Sequence, residues 1–251
     1  MHAKQGLEML MEKRSFEARL SQISTVWSVL RQAHGGPADA VAAAQQFLLQ
    51  RYGGAVHRYL LATLRDPHAA DDLTQEFGLR LVRGDFHRAD PLRGHFRHYV
   101  KTVLFHLVSG YRKQQQTRMR PLASDSPELA NLPARDLDAD RRFQESWREE
   151  LLARAWEALA EAQPVFYAVL RFRATNPKLP SAQMAQQLSR QLDKPLSADG
   201  IRQALHRARD RFAELLIHEV AQSLENPTME HVEEELRDLG LLAYCQPALA
   251  R

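Results

Sequence analysis

The residues of this chain with the strongest chemical character lie between Asp71 and Arg120, and their chemistry is that of binding. Asp72, Gln75, Glu76 and Arg80 are spaced to share the polar side of one helix. Arg93, Arg97, Lys101, Arg112, Lys113, Arg118 and Arg120 follow, and no Asp or Glu falls anywhere from Arg93 to Arg120. A solvated helix face usually mixes both signs, because like charges four residues apart repel. A basic stretch of one sign that also carries Tyr99, Phe105 and Tyr111 suits a nucleic-acid strand, whose phosphates it attracts and whose bases stack on aromatic rings. The competing reading is a basic solvated face whose aromatics belong to the core. Periodicity in this stretch leaves both open.

Catalytic patterns are missing. His95 and His98 have metal-like spacing and His106 lies further along, but their neighbours are cations and no carboxylate or thiol accompanies them. Gly35-Gly36 and Gly53-Gly54 are isolated pairs rather than a phosphate-cradling loop, and no Gly-x-Ser-x-Gly elbow occurs. The expectation is no enzyme activity, no catalytic residue, no metal and no cofactor. A single cysteine, Cys245, excludes an internal disulfide and fits a reduced cytoplasmic compartment. No run approaches the roughly 20 apolar residues needed to span a bilayer, and the first twenty residues lack a signal-peptide core. The chain has 251 residues, 44% hydrophobic and 26% charged, with a formal net charge of +3, the balance of an ordinary soluble protein. Its charge distribution says more than its sum.

The elements that must position these side chains read as helices throughout. No alternating β-branched stretch suggests a strand. A short helix through Trp27, Val29 and Leu30 ends at Gly35-Gly36-Pro37. An Ala-rich helix from Ala38 follows, which Gly53-Gly54 could interrupt, and Arg65-Asp66-Pro67 breaks the chain again. Asp71 and Asp72 look like N-caps for the next helix, with Gln75 three beyond Asp72 as in a capping box, and Leu73, Phe77 and Leu81 as its buried stripe. Phe96, Tyr99, Val100, Val103, Leu104, Leu107 and Tyr111 mark the buried side of the basic helix, which leaves Arg97, Lys101 and Arg112 to the other side.

From Gln114 to Asp140 the pattern gives way to Pro121, Pro127 and Pro133 among small polar residues, which predicts a flexible linker. A second helical unit begins near Arg141, with Trp147, Leu151, Leu152, Ala155, Trp156 and Leu159 along one face. A helix from Pro164 stops near Asn176-Pro177, and a short one runs from Ser181 to Leu192. Ser197 then caps a longer helix that buries Ile201, Leu205, Ala208, Phe212, Leu215 and Leu216 and exposes Arg202, Gln203, His206, Arg207 and Arg209. Short helix, turn and longer helix with Arg and Gln near its start is the helix-turn-helix pattern, and those are the side chains that read guanine and adenine edges. An acidic helix from Met229 to Tyr244 ends the series, with Val232, Leu236, Leu239 and Leu242 as its stripe.

The order of these pieces resembles the bacterial sigma-70 family of RNA polymerase sigma factors, in particular its extracytoplasmic-function (ECF) group. DDLTQEF, Asp71 to Phe77, resembles the D-L-x-Q-E signature of the segment that grips core RNA polymerase. GHFRHYVKTVLFHLVSGYRK resembles the following segment, which melts and captures the −10 promoter element, with Gly94, Phe96, Arg97, Val100, Leu104, His106, Leu107 and Val108 at matching positions of one variant. TVWSVLRQA and VEEELRDLG also resemble that variant. GIRQALHRARDRFAELL resembles the recognition helix of the −35-reading domain at Ile201, Arg202, His206, Arg207, Arg209 and Phe212. SRQLDKPLS makes a longer turn than is usual there, and Gly110 stands where the family has an amide or acid.

The resemblance implies an all-α chain: a polar leader over residues 1–20, a region 2-like domain over 21–113, a linker over 114–140, a region 4-like helix-turn-helix domain over 141–223 and an acidic terminal helix over 224–251. It implies polymerase contacts, on the clamp helices and the flap, with Asp72, Gln75, Glu76 and Arg80 serving the clamp. It implies −10 DNA contacts at Arg93, Arg97, Lys101, Phe105, His106, Arg112 and Lys113. It implies −35 contacts at Ser197, Arg202, Gln203, His206, Arg207 and Arg209. An anti-sigma factor is a further partner consistent with the group, and no membrane partner is implied. Two other classes stay open: a helix-turn-helix regulator acting without polymerase, and a helical interaction protein. The regulator would leave DDLTQEF without a purpose.

Overall fold

A computed structural model describes residues 26–35, 37–89, 96–119, 137–224 and 227–250. Among them every regular element is a helix, as the sequence predicts. They are α1 (Val26–His34), α2 (Ala38–Leu64), α3 (Pro67–Arg83), a 3-10 turn (Asp85–Arg88), α4 (Phe96–Met119), α5 (Leu137–Ala162), α6 (Pro164–Thr175), α7 (Ser181–Gln191), α8 (Ala198–Gln222), α9 (Met229–Asp238) and α10 (Leu242–Leu249). They fall into two compact units, one built from Ser24–Glu150 with Gln222–Asn226, the other including Leu151–Ala221 and Pro227–Arg251.

In the first unit α2 is the central element, and α1 and α3 both pack on it. Ala44, Leu48, Tyr52, Ala55, Val56, Tyr59 and Leu60 recur at helical spacing and are buried, so the apolar stripe runs straight through Gly53-Gly54. The glycine pair does not interrupt the helix. Two glycines cost a helix about 2 kcal/mol at most, less than burying even one or two of these side chains returns. The helix stops at Arg65, which takes a left-handed φ of 55° and donates its N–H to the Leu61 carbonyl. The Gln45 amide ties neighbouring segments together, donating to the Ala33 and Val82 carbonyls at 3.3 and 3.2 Å.

An aromatic cluster forms the core of this unit. Phe96 meets Trp27 edge-on at 5.5 Å and Tyr52 at 5.1 Å, and Phe86 of the 3-10 turn meets Phe77 at 5.2 Å. Tyr52 also stacks on Trp147 of α5, centroids 5.0 Å apart and planes within 8°, while Tyr59 meets Phe143 edge-on at 5.9 Å. The first half of α5 therefore belongs to the first unit up to Glu150. The sequence pattern instead assigns residues from Arg141 onward to the second domain. Of the linker predicted over 114–140, α4 claims residues up to Met119 and α5 those from Leu137. The prolines of that linker, and the leader, lie outside the described residues.

The second unit stacks the rest of α5 with α6 to α10. Leu151, Ala155 and Leu159 are fully buried, and Trp156 packs on Phe212 of α8 at 4.5 Å and on Tyr167 of α6 at 5.8 Å. The Arg173 guanidinium closes the α6–α7 loop by donating to the Pro177 and Leu179 carbonyls at 3.1 and 2.7 Å. The acidic terminal segment is two helices rather than the single one expected. Gly240, at φ 67°, turns the chain, and the Leu241 N–H returns to the Leu236 carbonyl at 2.7 Å. Val232, Leu236, Leu239 and Cys245 are buried, and Tyr244 meets Phe212 edge-on at 5.8 Å. The tail is thus part of the second unit's own core.

Candidate nucleic-acid interface

The polar side of α3 is set by the cap that starts the helix. Asp66, not Asp71 or Asp72, is the N-cap: its carboxylate accepts from the His68 and Ala69 N–H groups at 3.0 and 3.2 Å, with Pro67 at the first helical position. The helix therefore starts earlier than the capping-box pattern suggests. Asp71 and Asp72 are left on its second turn, both exposed, and Asp71 meets the His57 ring at 3.0 Å. Phe77 and Leu81 are buried as expected, whereas Leu73 is only half-buried.

The side of α3 turned to solvent carries Asp72 and Gln75, both exposed. Glu76 and Arg80 are half-buried and join at 2.8 Å, one turn apart. With both partners more than a third exposed, that pair is worth about 0.3–0.5 kcal/mol, so it orders the two side chains without locking them. Leu79 and Val82, which the sequence reading did not single out, are 48% and 50% exposed. They continue the Gln75 line by four and seven residues, so the signal was present in the spacing. The result is a polar helix start followed by an apolar end on one solvent-facing strip.

On α4 the structure divides the basic residues. Phe96, Val100, Leu104, Leu107 and Val108 are buried. Arg97 is buried with them at 6% exposure, which corrects its expected outward position: it lies three and seven residues before Val100 and Leu104, on the same stripe. Lys101 is half-buried and pairs with Asp140 of α5 at 2.9 Å, so its charge is met within the protein. Tyr99, Val103 and Tyr111, expected in the core, are half-buried. His98, Thr102, His106, Gly110, Arg112 and Lys113 are exposed, and Phe105 is half-buried against the His106 ring at 5.9 Å. His98 and Thr102 thus share the outer side with His106, an addition to the expected set. Arg93, His95 and Arg120 lie outside the described residues, as does the Arg118 side chain. Among the described residues no three His, Cys, Asp or Glu side chains gather into a possible metal site.

In the second unit α7 and α8 are joined by a turn over residues 192–197. Asp193 takes a positive φ of 48°, and the Ser189 hydroxyl accepts from the Leu196 N–H at 2.9 Å. The Ser197 hydroxyl accepts from the Gly200 N–H at 3.0 Å and starts α8. Ile201, Leu205, Ala208, Phe212 and Leu216 are buried and Leu215 is half-buried. Ser197, Arg202, Gln203, His206, Arg207 and Arg209 are all exposed. Arg202 pairs with Asp199, His206 lies 3.8 Å from Asp210, and the Arg207 guanidinium sits 5.8 Å over the Phe166 ring. Cys245 lies in the core, and burial pushes its thiol up to about 12.

Comparison with known families adds the deciding observation. Residues 48–118, from the middle of α2 to the end of α4, match the family model of sigma-70 region 2. The match supports a sigma factor of the sigma-70 family. No curated protein and no solved structure matches the chain. Sigma-70 region 2 binds core RNA polymerase and −10 promoter DNA, and factors that carry it initiate transcription without being enzymes. The matched span holds both the solvent-facing strip of α3 and the outer side of α4. Among the described residues no helix is long and apolar enough to cross a membrane.

Proposed function

We propose that the chain is an ECF-type sigma factor that joins core RNA polymerase and directs promoter-specific initiation. The carrying observation is the exposed strip of α3 inside the region 2 match, with Asp72 and Gln75 at its polar end and Leu79 and Val82 at its apolar end. Glu76 and Arg80 flank it. Such a strip suits a protein partner that offers donors at one end and apolar contact at the other. Capture of the −10 strand falls to Lys101, Phe105, His106, Arg112 and Lys113, with Arg93 as a flanking contact; Arg97, being buried, positions the helix. Flipping bases out of a duplex costs a few kcal/mol each, which stacking in a pocket returns.

Reading of the −35 element falls to the exposed residues of α8: Ser197, Arg202, Gln203, His206, Arg207 and Arg209. The protein acts in the cytoplasm, and linking two DNA-binding units raises the effective concentration of the second once the first is bound. The test is reconstitution with purified bacterial core polymerase on genomic fragments, followed by mapping of melted DNA. The expected result is a stable holoenzyme and open complexes at discrete sites. A chain that neither joins core polymerase nor opens DNA overturns the proposal, and DNA binding that Gln75→Ala and Glu76→Ala leave unchanged with no polymerase binding at all favours the stand-alone regulator.

A further inference from the structure

The first half of α5 presents one face to α2 and α4, and that face has an apolar centre with acidic ends. Asp140, Phe143, Trp147 and Glu150 fall at intervals of three and four residues, so they line up along the helix. Phe143 and Trp147 are buried against Tyr59 and Tyr52 and fix the segment in place. Glu150, itself buried, pairs with Arg58. Asp140 is delivered by the same anchors to Lys101, with Oδ1 2.9 Å from Nζ. Here the side chains are 41% and 31% exposed, so the pair stands in water and exchanges at little cost.

We propose that Asp140 is a built-in competitor for nucleic-acid phosphate at Lys101, screening part of the basic side of α4 until a strand displaces it. The inference rests on the assignment of Lys101 to strand capture. A carboxylate and a phosphodiester each offer Lys101 one negative charge and acceptor oxygens, so only one of them holds the ammonium at a time. Because Phe143 and Trp147 keep the helix docked, the exchange needs only the Asp140 side chain to turn away. Removing the carboxylate leaves the lysine uncompensated, and the strand then binds without that competition.

The experiment compares the full-length protein with Asp140→Asn, Lys101→Ala, the double variant, and Glu145→Gln, which removes one exposed charge elsewhere on α5. Binding of fluorescent oligo(dT) is titrated across a range of salt concentrations. Asp140→Asn is expected to bind about two- to fivefold more tightly at low salt. Its dependence of log affinity on log salt steepens, at most by the about 0.7 of one further phosphate contact on a single strand. Lys101→Ala weakens binding, the double variant matches Lys101→Ala, and Glu145→Gln gives less than half the gain of Asp140→Asn. Equal gains from Asp140→Asn and Glu145→Gln, or a gain that survives Lys101→Ala, overturn the competition. No gain from Asp140→Asn while Lys101→Ala still weakens binding also overturns it and leaves the strand-capture role intact. No effect from either residue sinks both. Polymerase binding, read separately, is unchanged by Asp140→Asn in every case.

Discussion

The carboxylate of Glu150 fills the space that a side chain at position 54 would need. A Cβ on Gly54 would run into the Glu150 carboxyl group, which is held there by Arg58, whereas a Cβ on neighbouring Gly53 meets nothing within 4 Å. The two glycines lie side by side in the middle of α2 and should answer the same substitution with opposite signs. Gly53→Ala should stabilise the chain by about 0.5–1 kcal/mol through helix propensity alone. Gly54→Ala should destabilise it by about 1–3 kcal/mol, because the helix gain is outweighed by displacing a buried charge from its partner. Urea unfolding midpoints for the two variants check this; equal shifts would mean that the Glu150 contact does not form.

The position of the α3 cap gives a second test. Asp66→Ala should cost about 1 kcal/mol, since two N–H groups lose their acceptor. Asp72→Ala, at an exposed site on the second turn, should stay within about 0.5 kcal/mol of the parent. Thermal melts of both variants separate the two assignments, and a larger loss at Asp72 would restore the later helix start.

If the α3 strip docks on core polymerase, its apolar end should matter as much as its polar end. Leu79→Asp and Val82→Asp should each weaken polymerase binding by about tenfold or more, the equivalent of about 1.4 kcal/mol. Both side chains are about half exposed, so the melting temperature should barely move. A polymerase pull-down titration together with a melt reads both quantities. Intact binding by the two variants would confine the interface to Asp72, Gln75 and their neighbours.

Cys245 predicts a loss of stability in alkali. Its thiol is raised from 9.0 to about 12 by burial in the folded chain, so between those values the unfolded state has released a proton that the folded state keeps. Unfolding then becomes easier as pH rises, by up to about 1.4 kcal/mol per pH unit from this group, with the effect setting in as pH approaches 9 and fading well below it. Cys245→Ala should remove that part of the decline. Denaturation at pH 8, 9 and 10 with parent and variant measures it; parallel curves across that range would rule out the thiol as the source. Tyr244, raised from 10.0 to about 12 chiefly by burial, adds to the decline in the same direction at higher pH.

Much of the fold was legible along the chain. Ile201, Leu205, Ala208 and Phe212 of α8 recur at the period of a helix, and nothing in the tertiary structure competes with so regular a stripe. The start of α6 at Pro164 and its stop at Asn176-Pro177 follow from proline's fixed φ and missing N–H, which are local properties. The turn in the tail is not legible in the same way. Gly240 sits inside a continuous apolar pattern from Val232 to Leu242, and periodicity does not register a single residue turning left-handed.

Sequence by itself determined the helical class, the stripes that bury Phe77, Val100 and Leu205, and the exposure of Gln75 and Arg209, because each depends on spacing within one helix. Tertiary structure alone decided which charges stay available. Lys101 meets Asp140, and Glu150 reaches Arg58 beside Gly54. Those outcomes join residues 39 and 92 positions apart. A helical period carries no information across such distances; only the docking of α5, through Phe143 and Trp147, brings its carboxylates to their partners.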